Sequence, residues 1–121
     1  INEDPNALYN LQEASRAGIA LGAYFFSTAI TEEEAKEEAA WTAEILSGYP
    51  ITYPVVYDCE NFNNPDSRQY TLSKQERTEL ALVFLETIKK QGYEGMIAFE
   101  LKPSADSASA VKAINEIRQG L

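Results

Sequence analysis

The sequence contains no histidine. That absence excludes Ser-His-Asp and Cys-His nucleophilic sites, and histidine metal motifs such as H-E-x-x-H. Cysteine is nearly as scarce: Cys59 stands alone, so no disulfide can form within the chain. No apolar run approaches the roughly 20 residues that span a bilayer, so no membrane partner is expected. No basic start followed by an apolar stretch marks a signal peptide, which places any export signal outside this stretch. Cationic residues are few, 10 Lys and Arg against 19 Asp and Glu, for a formal net charge of −9. Proteins that neutralise phosphates need the opposite balance, so nucleic acid is not expected as a partner. The chemistry left open belongs to carboxylates, tyrosines, lysines and backbone groups.

What remains is an ordinary globular mix, 45% hydrophobic and 24% charged over 121 residues. This supports one domain, residues 1–121, able to bury a core without disulfides. Helix and strand signals alternate along it. Asp4-Pro5 reads as an N-cap before a proline at the first helical position. Leu8, Leu11 and Ala14 follow at helical spacing, and Gly18 is a stop. Residues 19–27 form an apolar run that reads as a short buried strand. Thr31 with Glu34 is a capping-box pattern. Ala35, Ala39, Ile45 and Leu46 supply that helix with an apolar side, and the acidic run 32–38 reads as a solvated face near its positive end. Residues 51–59 read as a second strand. Ser73 with Glu76 opens another helix, carried by Leu80, Val83, Phe84 and Ile88 and stopped at Gly92. Residues 94–101 read as a third strand, and Val111, Ile114, Ile117 and Leu121 as a last helix.

The order is α-β-α-β-α-β-α. Strands separated by single helices run parallel with right-handed crossovers. The class is therefore α/β, built either as an arc of a TIM-like barrel or as a small layered domain. Three parallel strands leave two edges of unpaired backbone groups. Either loops block those edges or two copies pair through them as a homodimer.

The strongest candidate for chemistry is Asp58-Cys59-Glu60, at the C-terminal end of a strand, where active sites of parallel sheets are built. Alternation puts Asp58 and Glu60 on one face, with Cα atoms roughly 6.6 Å apart, and turns Cys59 toward the helices. Neighbouring carboxylates disfavour each other's ionisation, so one can stay protonated as a general acid. The bland alternative is a solvated turn. A hard-cation site is a third reading, since Asp58, Glu60, Asn61, Asn63 and Asp66 all offer oxygen, but the spacing fits no EF-hand. Nothing else in the pattern asks for a metal, and no cofactor is expected. Tyr24 and Phe26 share one face of the first strand and could stack on sugar rings, with core packing the plainer expectation for Phe26. Trp41, Tyr49, Tyr9, Tyr53 and Tyr57 are expected to pack, and Arg68 and Arg77 to pair with acidic neighbours.

Several motifs stand together in order. They are Ala17-Gly18-Ile19 with Gly22-Ala23-Tyr24-Phe25-Phe26-Ser27; Thr31 with Glu34-Ala35 and Glu38-Ala39; Tyr53-Pro54-Val55-Val56-Tyr57-Asp58-Cys59-Glu60; and Arg77-Thr78, Phe84 and Gly92-Tyr93. This series resembles the third strand, its helix, the fourth strand and the next helix of the glycoside hydrolase family 25 lysozymes, over roughly residues 3–96. The resemblance implies a (β/α)-barrel glycosidase that cleaves the β-1,4 bond between N-acetylmuramic acid and N-acetylglucosamine of peptidoglycan, outside the cell or in its wall. Glu60 would then be the general acid, and Asp58 would orient the substrate's N-acetyl group or stabilise charge. Tyr24 and Phe26 would line the glycan site. The family's first two strands would precede Ile1, Ile97 and Phe99 stand where it shows a tyrosine and an asparagine, and residues 97–121 carry none of its motifs. Little or no activity is therefore expected of this stretch alone. Two other readings stay open: an inactive recombined or engineered α/β domain, and a glycan-binding module.

Overall fold

The structure, a computed structural model, describes residues 1–99. Its elements alternate as α1 (Ala7–Arg16), β1 (Leu21–Phe26), α2 (Glu32–Leu46), β2 (Ile51–Cys59), α3 (Lys74–Lys90) and β3 (Gly95–Phe99). The proposed last helix and the residues beyond β3 lie outside the described residues. Among the described residues, no helix is long and apolar enough to cross a membrane.

Local chemistry explains most boundaries. Ser73 and Glu76 make a complete capping box at the start of α3. At α2 the box is half made. Thr31 Oγ1 accepts from the Glu34 N–H at 3.2 Å, while the Glu34 carboxylate accepts from the Ile30 N–H and from Arg68. Gly18 and Gly92 end α1 and α3 at φ values of 72° and 93°, a region closed to most side chains. The start of α1 differs from expectation. Asp4 accepts from the Asn6 and Ala7 N–H groups and so forms the turn before the helix, and Asn6 occupies the cap.

The strands form one parallel sheet in the order β1-β2-β3. Registers run straight across it: Phe25 pairs with Tyr57 and Tyr57 with Ile97, while Phe26 pairs with Asp58 and Asp58 with Ala98. The first pair carries an irregularity. Between Leu21 and Ala23, β2 advances from Ile51 to Val55. Gly22 fills the kink, and a Cβ there would lie 2.9 Å from the Tyr53 Cβ.

Every second strand residue meets the helices. Leu21, Val55, Tyr57 and Cys59 join Ala39, Ala43 and Leu46 of α2 and Ala81, Phe84 and Ile88 of α3 in one core, with Leu11 of α1 at its edge. Phe84 is its hub, with its ring centroid 5.1 Å from Tyr57 and 5.9 Å from Phe25, and Phe25 meets Trp41 edge-on at 6.0 Å. Burying a phenyl side chain of this kind is worth about 2–3 kcal/mol. Helices α2 and α3 pack on each other as well as on the sheet. Among the described residues the helices therefore cover one face, as in an arc of a barrel. Tyr9 and Tyr53, expected to pack, are exposed. Tyr9 points away from the Leu11 side of α1, and Tyr53 lies at the outer kink beside Gly22.

Candidate active site

The burial of β2 alternates through its last residues. Val55, Tyr57 and Cys59 are fully buried, whereas Val56, Asp58 and Glu60 are half-buried on the other side. Asp58 thus belongs to the face without helices, and Glu60 continues the alternation one residue beyond the ladder. Asp58 sits at the centre of the sheet's C-terminal edge, between Phe26 and Ala98, and its carbonyl accepts from the Ser27 N–H at 3.0 Å. Directly after Glu60 the backbone turns at Asn61, which adopts φ 60°, a conformation asparagine tolerates better than most residues. The loop then closes on itself: Asn61 and Asn64 carbonyls accept from Asn64 and Ser67, and the Asn64 side chain accepts from the Asp66 N–H. Among the described residues no three His, Cys, Asp or Glu side chains gather as a metal site would require.

Beside these carboxylates lies an apolar shelf. Tyr24 is 69% exposed and Phe26 42%. Tyr24 is in register with Val56, and Val56 with the exposed Met96. Phe26 is therefore a surface residue of the open face. Neighbouring strands lie about 4.8 Å apart, which sets the ring of Phe26 within reach of whatever Asp58 touches. Parallel sheets are ordinarily covered on both faces, and among the described residues this face carries exposed aromatics. A groove of about 640 Å³ continues along β1, bounded by Leu11, Tyr24, Phe26 and Trp41.

Behind the carboxylates, on the helix side, a polar network is buried. Glu38 is only 5% exposed. Its carboxylate accepts from the Ser27 hydroxyl at 2.6 Å and from the Thr28 N–H at 3.1 Å. Burial raises its pKa, and the bonds from Ser27 and Thr28 partly offset the rise. Gln69, 1% exposed, donates to the Ala29 carbonyl at 2.8 Å and accepts from the Cys59 thiol at 3.8 Å. Burial pushes the Cys59 thiol up to about 11 and the Tyr57 phenol up to about 12. The Tyr57 hydroxyl makes no hydrogen bond although Ser27 and Gln69 lie near it. Outside this network Arg68 bridges the Thr28 carbonyl at 3.1 Å and Glu34 at 2.9 Å, and that ion pair lowers the Glu34 pKa. Arg77 lies over the Phe62 ring at 4.4 Å and donates to the Leu72 carbonyl.

Glu38 is therefore not part of the solvated face expected for the acidic run 32–38, and Ser27 and Gln69 carry no spacing signal of their own. A signal for Glu38 existed: it falls at helical spacing with Ala35, Ala39, Thr42 and Leu46, on the buried stripe.

Comparison with known proteins supplies the family context. A family model described as glycosyl hydrolases family 25 matches residues 2–116, past the segment whose motifs carry the resemblance. No curated protein matches the chain. Among solved structures it is similar to the modular autolysin LytC from Streptococcus pneumoniae, with 25% identity and a TM-score of 0.71 over 81% of this chain. A second LytC structure, in complex with a synthetic peptidoglycan ligand, matches at 24% identity and a TM-score of 0.70. The chain spans 24% of the length of each.

Proposed function

We propose, from the premise that this chain belongs to the glycosyl hydrolases of family 25, that it serves a lysozyme-like hydrolase of cell-wall peptidoglycan. The observation that carries the reading is the placement of Asp58 and Glu60. Asp58 stands near the end of the central strand on the open side of the sheet and Glu60 follows just past its last residue, beside the exposed rings of Tyr24 and Phe26. A glycan strand laid on that shelf brings its glycosidic oxygens to the carboxylates.

In this reading the bond broken is the β-1,4 link between N-acetylmuramic acid and N-acetylglucosamine. Glu60 is the general acid that protonates the leaving oxygen. Asp58 orients the N-acetyl group or stabilises the positive charge that develops on the sugar. Two carboxylates on one strand do not straddle the scissile bond, which favours a substrate-assisted route over the two-sided scheme. The substrate lies outside the cell, so the site of action is the cell wall. Support for peptidoglycan as ligand comes from the LytC structure that contains one. An eight-stranded barrel ordinarily takes roughly 200 residues or more. The 121 residues alone are accordingly expected to turn over slowly or not at all. Pairing of two copies through the sheet edges would supply further strands.

The test is release of reducing ends from purified peptidoglycan by the chain and by Glu60→Gln and Asp58→Asn. Turnover that Glu60→Gln abolishes while circular dichroism stays native supports the assignment. Turnover untouched by Glu60→Gln refutes it. The exposure of Tyr24 and Phe26 also favours a glycan-binding module, which predicts sedimentation with insoluble peptidoglycan that survives Glu60→Gln.

A further inference from the structure

The residues that follow Glu60 form a loop whose return to the fold is made at two adjacent positions. Arg68 makes its bonds on the surface, where solvent weakens them. Gln69 makes its bonds inside. Its amide is fixed in direction by its partners: the NH₂ group faces the Ala29 carbonyl and the oxygen faces the Cys59 thiol. The reverse orientation would set two carbonyl oxygens against each other. Its backbone is held as well, donating to Ser67 Oγ and accepting from Leu72.

Each partner of this amide bears on the candidate site. Cys59 lies between Asp58 and Glu60 and is the last residue of the ladder. Ala29 belongs to the turn after β1, which Glu38 holds through Ser27 and Thr28. Ser27 in turn donates its N–H to the Asp58 carbonyl. The two turns that leave the sheet beside the carboxylates are thus joined underneath by one neutral side chain. Gln69 lies on the helix side of β2 and cannot touch a ligand on the open face.

We propose that Gln69 is a positioning residue for Glu60: by clamping the turn after β1 to the end of β2, it holds the backbone from which the Glu60 carboxyl is presented. The proposal rests on the hydrolase reading for its catalytic meaning, and on the geometry alone for its structural one. A buried amide has few routes to compensation, because its removal leaves a carbonyl and a thiol without their partner. Loss of the inner clamp leaves the return of the loop to the exposed bonds of Arg68 and to the half-buried Phe62 beneath Arg77. Reacting groups displaced by about 1 Å lose on the order of a hundredfold in rate.

The test has two arms on the full chain. In the first, the ¹³C carboxyl resonance of Glu60, assigned by its disappearance in Glu60→Gln, is followed in Gln69→Met, Gln69→Glu and Cys59→Ala. Gln69→Met keeps the volume and loses both bonds. Gln69→Glu keeps an acceptor for Cys59 and opposes the Ala29 carbonyl. Cys59→Ala cuts the same link from the other side, so the question stays answerable if a Gln69 variant fails to fold. Ile88→Val, a truncation of the core away from the site, controls for general loosening. The Glu60 resonance is expected to move and broaden in the clamp variants and to stay in place in Ile88→Val. An unmoved Glu60 resonance in every folded clamp variant overturns the proposal. So does an equal change in Ile88→Val.

In the second arm, kinetics on peptidoglycan should show kcat reduced roughly tenfold or more with KM changed less than about twofold, the pattern of a lost transition-state arrangement. A proportional loss of active molecules, with kcat per folded molecule unchanged, refutes positioning. Wild-type turnover that Glu60→Gln leaves untouched refutes the hydrolase reading instead; where the 121 residues alone show no turnover, the resonance decides the positioning by itself.

Discussion

Glu38 offers the sharpest test of the buried network. Replacing it with alanine removes the acceptor of two hydrogen bonds and leaves the Ser27 hydroxyl buried without it, while the Thr28 N–H, on an exposed residue, can turn to water. A buried orphaned donor costs about 1–3 kcal/mol, so Glu38→Ala should lose about 1–3 kcal/mol before any cavity cost is added. In a domain of this size 1 kcal/mol moves Tm by about 4 °C, so a drop of roughly 4–12 °C is expected. Glu38→Gln keeps the volume and one acceptor, and it removes the buried charge, so its loss should be smaller. The two variants also differ in pH dependence. Burial raises the folded-state pKa of Glu38 above its unfolded value of 4.5. The folded protein therefore holds that proton more tightly than the unfolded chain does. The stabilising contribution is fully present below pH 4.5 and is lost as pH rises through the higher folded pKa. Scanning calorimetry of wild type and Glu38→Gln from pH 3.5 upward reads it directly. The wild-type advantage should be largest at the acid end and shrink as pH rises. An advantage that grows with pH across that window would refute the assignment of burial as the dominant influence on Glu38.

Two further outcomes follow from exposure and burial. Tyr24→Ala and Phe26→Ala should each weaken peptidoglycan binding several-fold, since a stacking aromatic contributes about 1 kcal/mol, with little effect on Tm; isothermal titration with a soluble glycan fragment measures both, and a large Tm loss with unchanged affinity would place these rings in the fold and not in the site. Cys59, fully buried and with its thiol pushed up to about 11, should react with a thiol reagent at neutral pH only as fast as the chain opens. Rapid labelling of the native protein, followed by ultraviolet absorbance, would contradict that.

Much of the architecture can be read from local chemistry. Gly18, Thr31, Ser73 with Glu76, and Gly92 mark helix ends in the sequence because a cap or a left-handed turn constrains one residue at a time. The alternation of Val55, Tyr57 and Cys59 against Asp58 and Glu60 likewise shows which side of β2 meets helices, and that is enough to bring the two carboxylates to one face. The orientation of β1 is less legible. Its apolar run has no polar partner to break the symmetry, so Phe26 could belong to either face until the helices choose Phe25. Glu38 and Gln69 are harder again. A carboxylate in an acidic helix reads as solvated because the sequence does not show the Ser27 hydroxyl and Thr28 N–H that draw it inward. The partners of Gln69, Cys59 and Ala29, lie ten and forty positions away, a separation at which spacing carries no information. The breadth of the apolar shelf is hidden for the same reason, since it needs Tyr24, Val56 and Met96 brought into register from three strands.

The sheet order also bears on how the chain assembles as it is made. Among the described residues each strand pairs with the strand one helix away. Tyr24 meets Val56, and Val56 meets Met96, forty positions later. The β1-α2-β2 unit, with its Ala39, Leu46 and Tyr57 contacts, is complete in sequence before β3 has left the ribosome. Domains begin folding from the N-terminal side during synthesis, at about 5–20 residues per second. The first pair of strands would then have several seconds to dock before the third arrives, ample against the microsecond scale of helix and turn formation. The central strand would acquire its carboxylates on an edge at first, and enclose Asp58 between two neighbours only when β3 pairs beside it.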